Sequence, residues 1–145
     1  MYEESLRLPL IVRYPGKIKA AAVNDDFVSI LDFGPTFLDF AGAGGNDIFQ
    51  GRSIRQLLSN KVPSDWRKAH YYHYYGQYDV PSHYGVRTPE YKLVHFYEME
   101  GEGGWELYDI KNDPKESKNI YAQPSKSQIV KKMKNLLKEL RAKYE

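Results

Sequence analysis

The densest collection of side chains able to do chemistry lies between His70 and Thr88, in the stretch HYYHYYGQYDVPSHYGVRT. It holds three of the chain's four histidines and six of its thirteen tyrosines. Imidazoles can ligate a metal, tyrosine rings can lie against the apolar face of a sugar, and a guanidinium such as that of Arg87 can grip an anion through two parallel N–H bonds. Zinc is the first chemistry to test, because His70 and His73 form an H-x-x-H pair and His83 follows ten residues later. In an extended strand, residues three apart point to opposite faces, so His70 and His73 cannot chelate one ion unless the backbone there is helical. Short histidine spacings are weak metal signals in any case. Tyrosines also suit the half-buried surface of a sheet, with their hydroxyls at its wet margin. Composition alone leaves two readings open, a sheet core and a wall for a sugar or an anion.

Other candidate chemistries fail on spacing. The oxygens of Asn24, Asp25 and Asp26, and those of the run from Tyr108 to Glu116, do not have the ligand spacing of a calcium loop. Turn and capping roles explain Asp109, Asp113 and Glu116 better. The string from Pro63 to Arg67 resembles a P-S-x-x-R active-site loop, but the position two before the proline is Lys61 rather than a nucleophile. The chain has no cysteine, which excludes disulfides, thiolate zinc sites and a cysteine nucleophile. No Ser/His/Asp order, glycine-rich phosphate loop or catalytic carboxylate pair is present. No catalytic residue and no metal ligand is therefore assigned.

Those side chains need elements to position them. Residues 69–75, 83–88, 91–97 and 104–108 read as four strands, rich in tyrosine and punctuated by Gly and Pro. The Thr88-Pro89-Glu90 turn ties the middle two into a hairpin. Ile129, Val130, Met133, Leu136, Leu137, Leu140 and Tyr144 follow helical spacing behind Pro124-Ser125, which gives an amphipathic C-terminal helix. Its basic residues Lys131, Lys132, Lys134, Lys138, Arg141 and Lys143 fall off the apolar stripe, as a solvated face requires. Upstream, Leu8 to Tyr14 reads as a short buried strand, whose lack of a hairpin neighbour implies a parallel sheet completed by strands outside this sequence. Ser29 and Asp32 fit a capping box ahead of one helix bearing Phe33, Phe37, Leu38 and Phe40, with Gly42 as C-cap; Pro35 fits poorly in its interior, so either the first turn is irregular or the helix starts near Asp32 with Pro35 in its opening turn. Residues 51–60 read as a short helix or turn docked by Ile54, Leu57 and Leu58, followed by the polar linker KVPSDW.

The fold class is thus α+β, a four-stranded antiparallel sheet covered by a C-terminal helix and preceded by a strand and helix left from a larger α/β domain. Residues 1–62 form the α/β remnant and residues 63–145 the small sheet domain. The net charge of +2 gives no general field for nucleic acid. The opening residues, with Glu3, Glu4, Arg13 and Pro15, are neither a signal peptide nor a membrane span.

Six ordered strings carry a specific resemblance: MYEESLRLPLIVRYPG, DFGPTFLDFAG, QGRSIRQLL, HYGVRTPEYKLVHFY, WELYDIKNDPKESKN and the closing helix. In this order and spacing the chain resembles the C-terminal part of formylglycine-dependent, arylsulfatase-like enzymes of the alkaline-phosphatase-like superfamily. The resemblance implies a parent that hydrolyses sulfate esters, on a carbohydrate, with a formylglycine made in a C/S-x-P-S-x-R motif. It also implies a calcium ion held by Asp and Asn. Neither group has matching residues here, so both belong to the N-terminal sulfatase domain of the same parent chain, and this segment alone is expected to be inactive. The resemblance further implies a periplasmic or secreted location. The segment matching H-x-G-V-R-T is expected to face the substrate. His83 would donate a hydrogen bond to a sugar hydroxyl or carboxylate, Arg87 would grip an anion, and His73 and Tyr75 would stand behind them. The structural alternative for Arg87 is a pair with an acid such as Glu106 that holds the sheet together. A noncatalytic glycan-binding module is the rival reading of the whole chain, and an aggregation-prone fragment with an exposed strand at Leu8 to Tyr14 is a third.

Overall fold

The computed structural model describes residues 2–44, 48–77, 79–99 and 104–145. The chain divides into two compact units, Leu10–Lys68 on one hand and Met1–Pro9 with Ala69–Glu145 on the other.

In the unit Leu10–Lys68, local sequence signals produce the elements they promise. Ser29 and Asp32 form a reciprocal capping box around a 3₁₀ turn, Ile30–Asp32, and α2 follows at Phe33–Ala41. Pro35 sits in the first turn of α2, where its missing N–H costs nothing, and Gly42 ends the helix at φ 67°. The hub of the unit is Asp32, which is fully buried. Its carboxylate accepts the Ser29 N–H at 2.7 Å, the Arg52 N–H at 2.8 Å, and both guanidinium arms of Arg67 at 2.6 and 2.7 Å. Such a two-armed grip is the strong form of an ion pair. Gly51 lets the chain pass this hub, since a Cβ there would stand 2.0 Å from the Leu31 carbonyl oxygen. α3, Arg55–Leu58, docks through Ile54 and Leu57. The supposed linker contributes Trp66 to the same small core, with its indole N–H donating to the Phe27 carbonyl at 3.0 Å.

One expected element is absent. Residues 8–14 form no strand, and Leu8 and Ile11 are 74% and 90% exposed. Among the described residues no strand lies beside this segment to satisfy its backbone, and without a neighbour a hydrophobic run has neither a ladder nor a face to bury.

The other unit is an antiparallel sheet in the order β1-β2-β3-β4, with β1 at His70–Tyr74, β2 at His83–Arg87, β3 at Tyr91–Phe96 and β4 at Trp105–Asp109. The four expected strands are borne out within a residue or two, and Thr88 closes the β2–β3 hairpin by exchanging backbone and hydroxyl bonds with Tyr91. After a 3₁₀ turn at Pro124–Lys126, α4 runs from Ser127 to Tyr144 and lays Met133 and Leu137 on Tyr84, Val86, Leu93 and Leu107. Alternation along each strand sends the neighbouring residues to the opposite face.

There the register sets Arg87 opposite Lys92, and Lys92 is fully buried. Its ammonium lies 2.5 Å from Glu116 and 2.8 Å from Glu3, while Arg87 pairs with Glu3 at 2.9 Å. Glu3 belongs to α1, a single turn at Glu3–Leu6 that sequence reading missed, and its N–H donates to Glu116 at 2.6 Å. Among the described residues two cations and two carboxylates thus balance one another, Lys92 and Glu116 buried and Arg87 and Glu3 largely so. Asp109 and Asp113 hold turns, accepting from Asn112 and from the Lys118 N–H. Glu116 keeps the turn role expected of it, its N–H donating to the Asp113 carbonyl at 3.0 Å, and its side chain in addition enters the charged cluster.

Removing one partner of a buried pair strands the other charge, at a cost of roughly 3–5 kcal/mol. Lys92→Met is therefore expected to lower unfolding free energy by about that amount, read from urea denaturation; a loss below about 1 kcal/mol would mean the cluster is solvated. Burial alone would raise the Glu3 pKa, but bonds from Arg87 and Lys92 override it and hold the group below its usual 4.5. The stability it contributes is present above that value and is lost as pH falls through the lower, folded value. Exchange of the Glu3 amide hydrogen should accelerate in that acid window before the β3 amides do.

Candidate substrate-facing site

The four residues singled out from the sequence lie on two faces of one sheet. His73 pairs with Tyr84 across β1 and β2, on the face that α4 covers. Tyr75, just beyond β1, stacks on the His73 ring with centroids 4.1 Å apart and is 76% exposed. His83 and Arg87 point to the opposite face, the one that carries Lys92. The structure therefore brings His73 together with Tyr75, places His83 and Arg87 on one face at opposite ends of β2, and does not converge all four.

On the α4 face, aromatic rings run from Tyr75 through His73, Tyr84 and His95 to Trp105 and Tyr121, with successive centroids 4.0 to 5.9 Å apart. Two cations from α4 lie over this row, Lys134 4.2 Å above Trp105 and Arg141 4.3 Å above Tyr84. Such contacts hold a cation against a ring's negative face. Glu145 closes the row by accepting from the Tyr71 hydroxyl, from Arg141 at 2.6 Å and from His73 Nδ1 at 2.7 Å. The Tyr71 bond leads the causes that hold the Glu145 carboxyl down at about 2. Much of the tyrosine richness of the opening stretch is accounted for here as packing.

The opposite face offers a more reactive arrangement. His83 is 2% exposed, with Tyr74, Phe96 and Tyr72 around it at 5.2, 4.9 and 5.7 Å. Its Nδ1 lies 2.7 Å from the Pro81 carbonyl oxygen. A carbonyl only accepts, so Nδ1 carries the proton, and in the neutral ring Nε2 is left as a lone-pair acceptor. Burial lowers the His83 pKa below 6.5, against the raising effect of the Pro81 bond, so the ring is neutral at pH 7. Among the described residues Nε2 has no hydrogen-bond partner, and the hydroxyl of Tyr72 on the same face has none either. Gly85 makes room for that tyrosine, because a Cβ there would meet its hydroxyl at 2.9 Å. In the neutral ring Nε2 can only accept, the inverse of the donor expected from the sequence, and it is buried as well as unpartnered.

Arg87 has a different occupation from the one expected. Its Nη2 donates to Glu3 at 2.9 Å and its Nη1 to the Thr88 carbonyl at 3.0 Å. The acid it pairs with is Glu3 rather than Glu106, which sits two strands away on β4. No sequence signal could have found this pair, since its partners are 84 residues apart. Among the described residues no cluster of three or more His, Asp or Glu could hold a metal ion.

Residues 1–143 match the family described as N-sulphoglucosamine sulphohydrolase, C-terminal. The chain belongs to this family. It is 46% identical over 149 residues to the N-acetylglucosamine-6-O-sulfatase of Bacteroides thetaiotaomicron, covering 99% of this chain and 26% of that protein. It is 31% identical to an arylsulfatase of Clostridium perfringens, covering 99% and 30%. Among solved structures, it superposes with a TM-score of 0.84 and 44% identity on a protein in complex with its substrate D-glucosamine-2-N,6-O-disulfate, covering 92% and 28%. The chain therefore spans about a quarter of the length of such relatives. The resemblance read from six strings, and the α+β fold with its helix-covered sheet, are both borne out.

At neutral pH, nitrogen NMR of His83 should show a protonated Nδ1 and a bare Nε2, with a titration midpoint below 6.5. A protonated Nε2 in the neutral ring would overturn the assignment of an acceptor.

Proposed function

We propose that this chain is the C-terminal part of a sulfuric ester hydrolase acting on sulfated carbohydrate, with a sulfated glucosamine as the substrate class. The observation that carries the reading is the 46% identity, over 99% of the chain, to an N-acetylglucosamine-6-O-sulfatase, supported by the fold shared with a protein bound to a glucosamine disulfate. The sulfate-cleaving apparatus, formylglycine and calcium, belongs to the N-terminal sulfatase domain of the same parent chain, which is this segment's principal partner. No described helix is long and apolar enough to cross a membrane, and the parent works in the periplasm or outside the cell.

In this reading the sheet contributes recognition. His83 accepts a hydrogen bond from a sugar hydroxyl or N–H through Nε2, with the rings of Tyr74 and Phe96 beside it. Arg87 acts as a positioning residue, holding α1 against the sheet through Glu3. The stacked pair of His73 and Tyr75 offers an exposed ring for a neighbouring sugar unit. That exposed ring is also the feature that favours the rival reading, a glycan-binding module without hydrolytic activity.

The deciding experiment is sulfate release by the full-length protein from glucosamine 6-sulfate and its N-sulfated form. Release is expected, together with inactivity of residues 1–145 alone. His83→Ala should raise KM by roughly tenfold or more, the effect of one lost hydrogen bond with a buried partner. Glycan binding without release from any sulfated glucosamine would replace the hydrolase reading with the binding module.

A further inference from the structure

The helix α4 crowds like charges along its length, although Arg141 and Lys143 in its last turn and the Arg141–Glu145 pair suit its C-terminal end. Within Ser127–Tyr144 it carries Lys131, Lys132, Lys134, Lys138, Arg141 and Lys143 against one carboxylate, Glu139. The helix thus has five net positive charges, although the whole chain has only two, so the remainder of the chain is net acidic. Like charges stand three apart at Lys131 and Lys134 and at Lys138 and Arg141, and four apart at Lys134 and Lys138. At those spacings side chains are neighbours and repel. The first turn contains no acidic residue to complement the helix dipole.

Packing consumes part of this charge, since Lys134 and Arg141 lie over the aromatic row of the sheet. Lys131, Lys132, Lys138 and Lys143 remain exposed. Among the described residues none of these four forms an ion pair. From Lys131 to Lys143 the helix rises about 18 Å, and at about 100° per residue Lys131 and Lys138 share one side while Lys132 and Lys143 share the next, so the four form an extended two-row strip rather than a point. The apolar stripe is spent on the sheet, and none of the chain's exposed large hydrophobic side chains lies on α4. A helix that binds bilayers needs an apolar face to insert, which disfavours a membrane as the partner.

We infer that this lysine strip is a docking surface for a linear sulfated polysaccharide, an inference that rests on the sulfated-carbohydrate reading above. Complementary charge along a polymer relieves the repulsion within the helix and raises the local concentration of an anionic chain. The strip and His83 serve opposite faces of the sheet, because α4 covers the face that carries His73 and Tyr84. A sugar unit held by the strip is therefore not the one that contacts His83.

The test uses the full-length protein and a variant in which Lys131, Lys132, Lys138 and Lys143 are each changed to Gln. Heparin is the probe, and turnover of a monosaccharide sulfate is measured in parallel. The wild type should bind heparin with an affinity that falls steeply with salt. The variant should bind at least about tenfold more weakly with a shallower salt slope, while monosaccharide turnover is unchanged. Undiminished heparin binding by the variant would overturn the inference. So would wild-type binding of equal strength to DNA or to phosphatidylserine vesicles, which would assign the strip to another class of partner. Lysine-dependent heparin binding by a wild-type protein that releases no sulfate would uphold the strip and overturn the hydrolase reading.

Discussion

A lysine ammonium fully removed from water dictates much of the sheet unit. Lys92 is 0% exposed near the start of β3, and a charge so placed persists only with partners at bonding distance. Glu116 meets that demand from the loop after β4, and Glu3 meets it from α1, more than eighty residues away in sequence. Arg87 then offsets the second carboxylate. One desolvated cation thereby draws together the first helical turn, the β2–β3 hairpin and the segment leading toward α4. Hydrophobic contact alone would not specify that meeting so sharply, because it is non-directional.

The sheet separates two kinds of work by the simple alternation of side chains. The face under α4 is filled by aliphatic core and a row of aromatic rings capped by cations. The other face carries the charged cluster and a neutral histidine whose free nitrogen accepts. His73 and His83 look equivalent as residues, yet His73 spends Nδ1 on Glu145 and His83 spends Nδ1 on a backbone carbonyl. The difference comes from which face each occupies and which acceptor stands beside it.

Local signals in the sequence were legible because their physics is local. The capping box at Ser29 and Asp32, Pro35 in the first turn, Gly42 at the C-cap, the four strands and the amphipathic α4 each depend on residues a few positions apart. The strand expected at Leu8 to Tyr14 failed for the complementary reason, since a strand exists only beside another strand. The linker role assigned to Trp66 failed because its side chain found a distant core, and Glu116, while closing its turn, sends its side chain to a partner that the turn does not reveal. Arg67, set aside as part of a failed active-site string, proved to be the clamp on Asp32.

The sequence by itself determined the family, through six ordered strings that resemble it, and the α+β class, through the local periodicity of four strands and a covering helix. The tertiary structure decided which nitrogen of His83 is available, that Arg87 serves Glu3, and that the four candidate residues divide between two faces. Those outcomes depend on strand register and on contacts between residues far apart in the chain, where the competition among buried charges and hydrogen-bond acceptors is settled by distance.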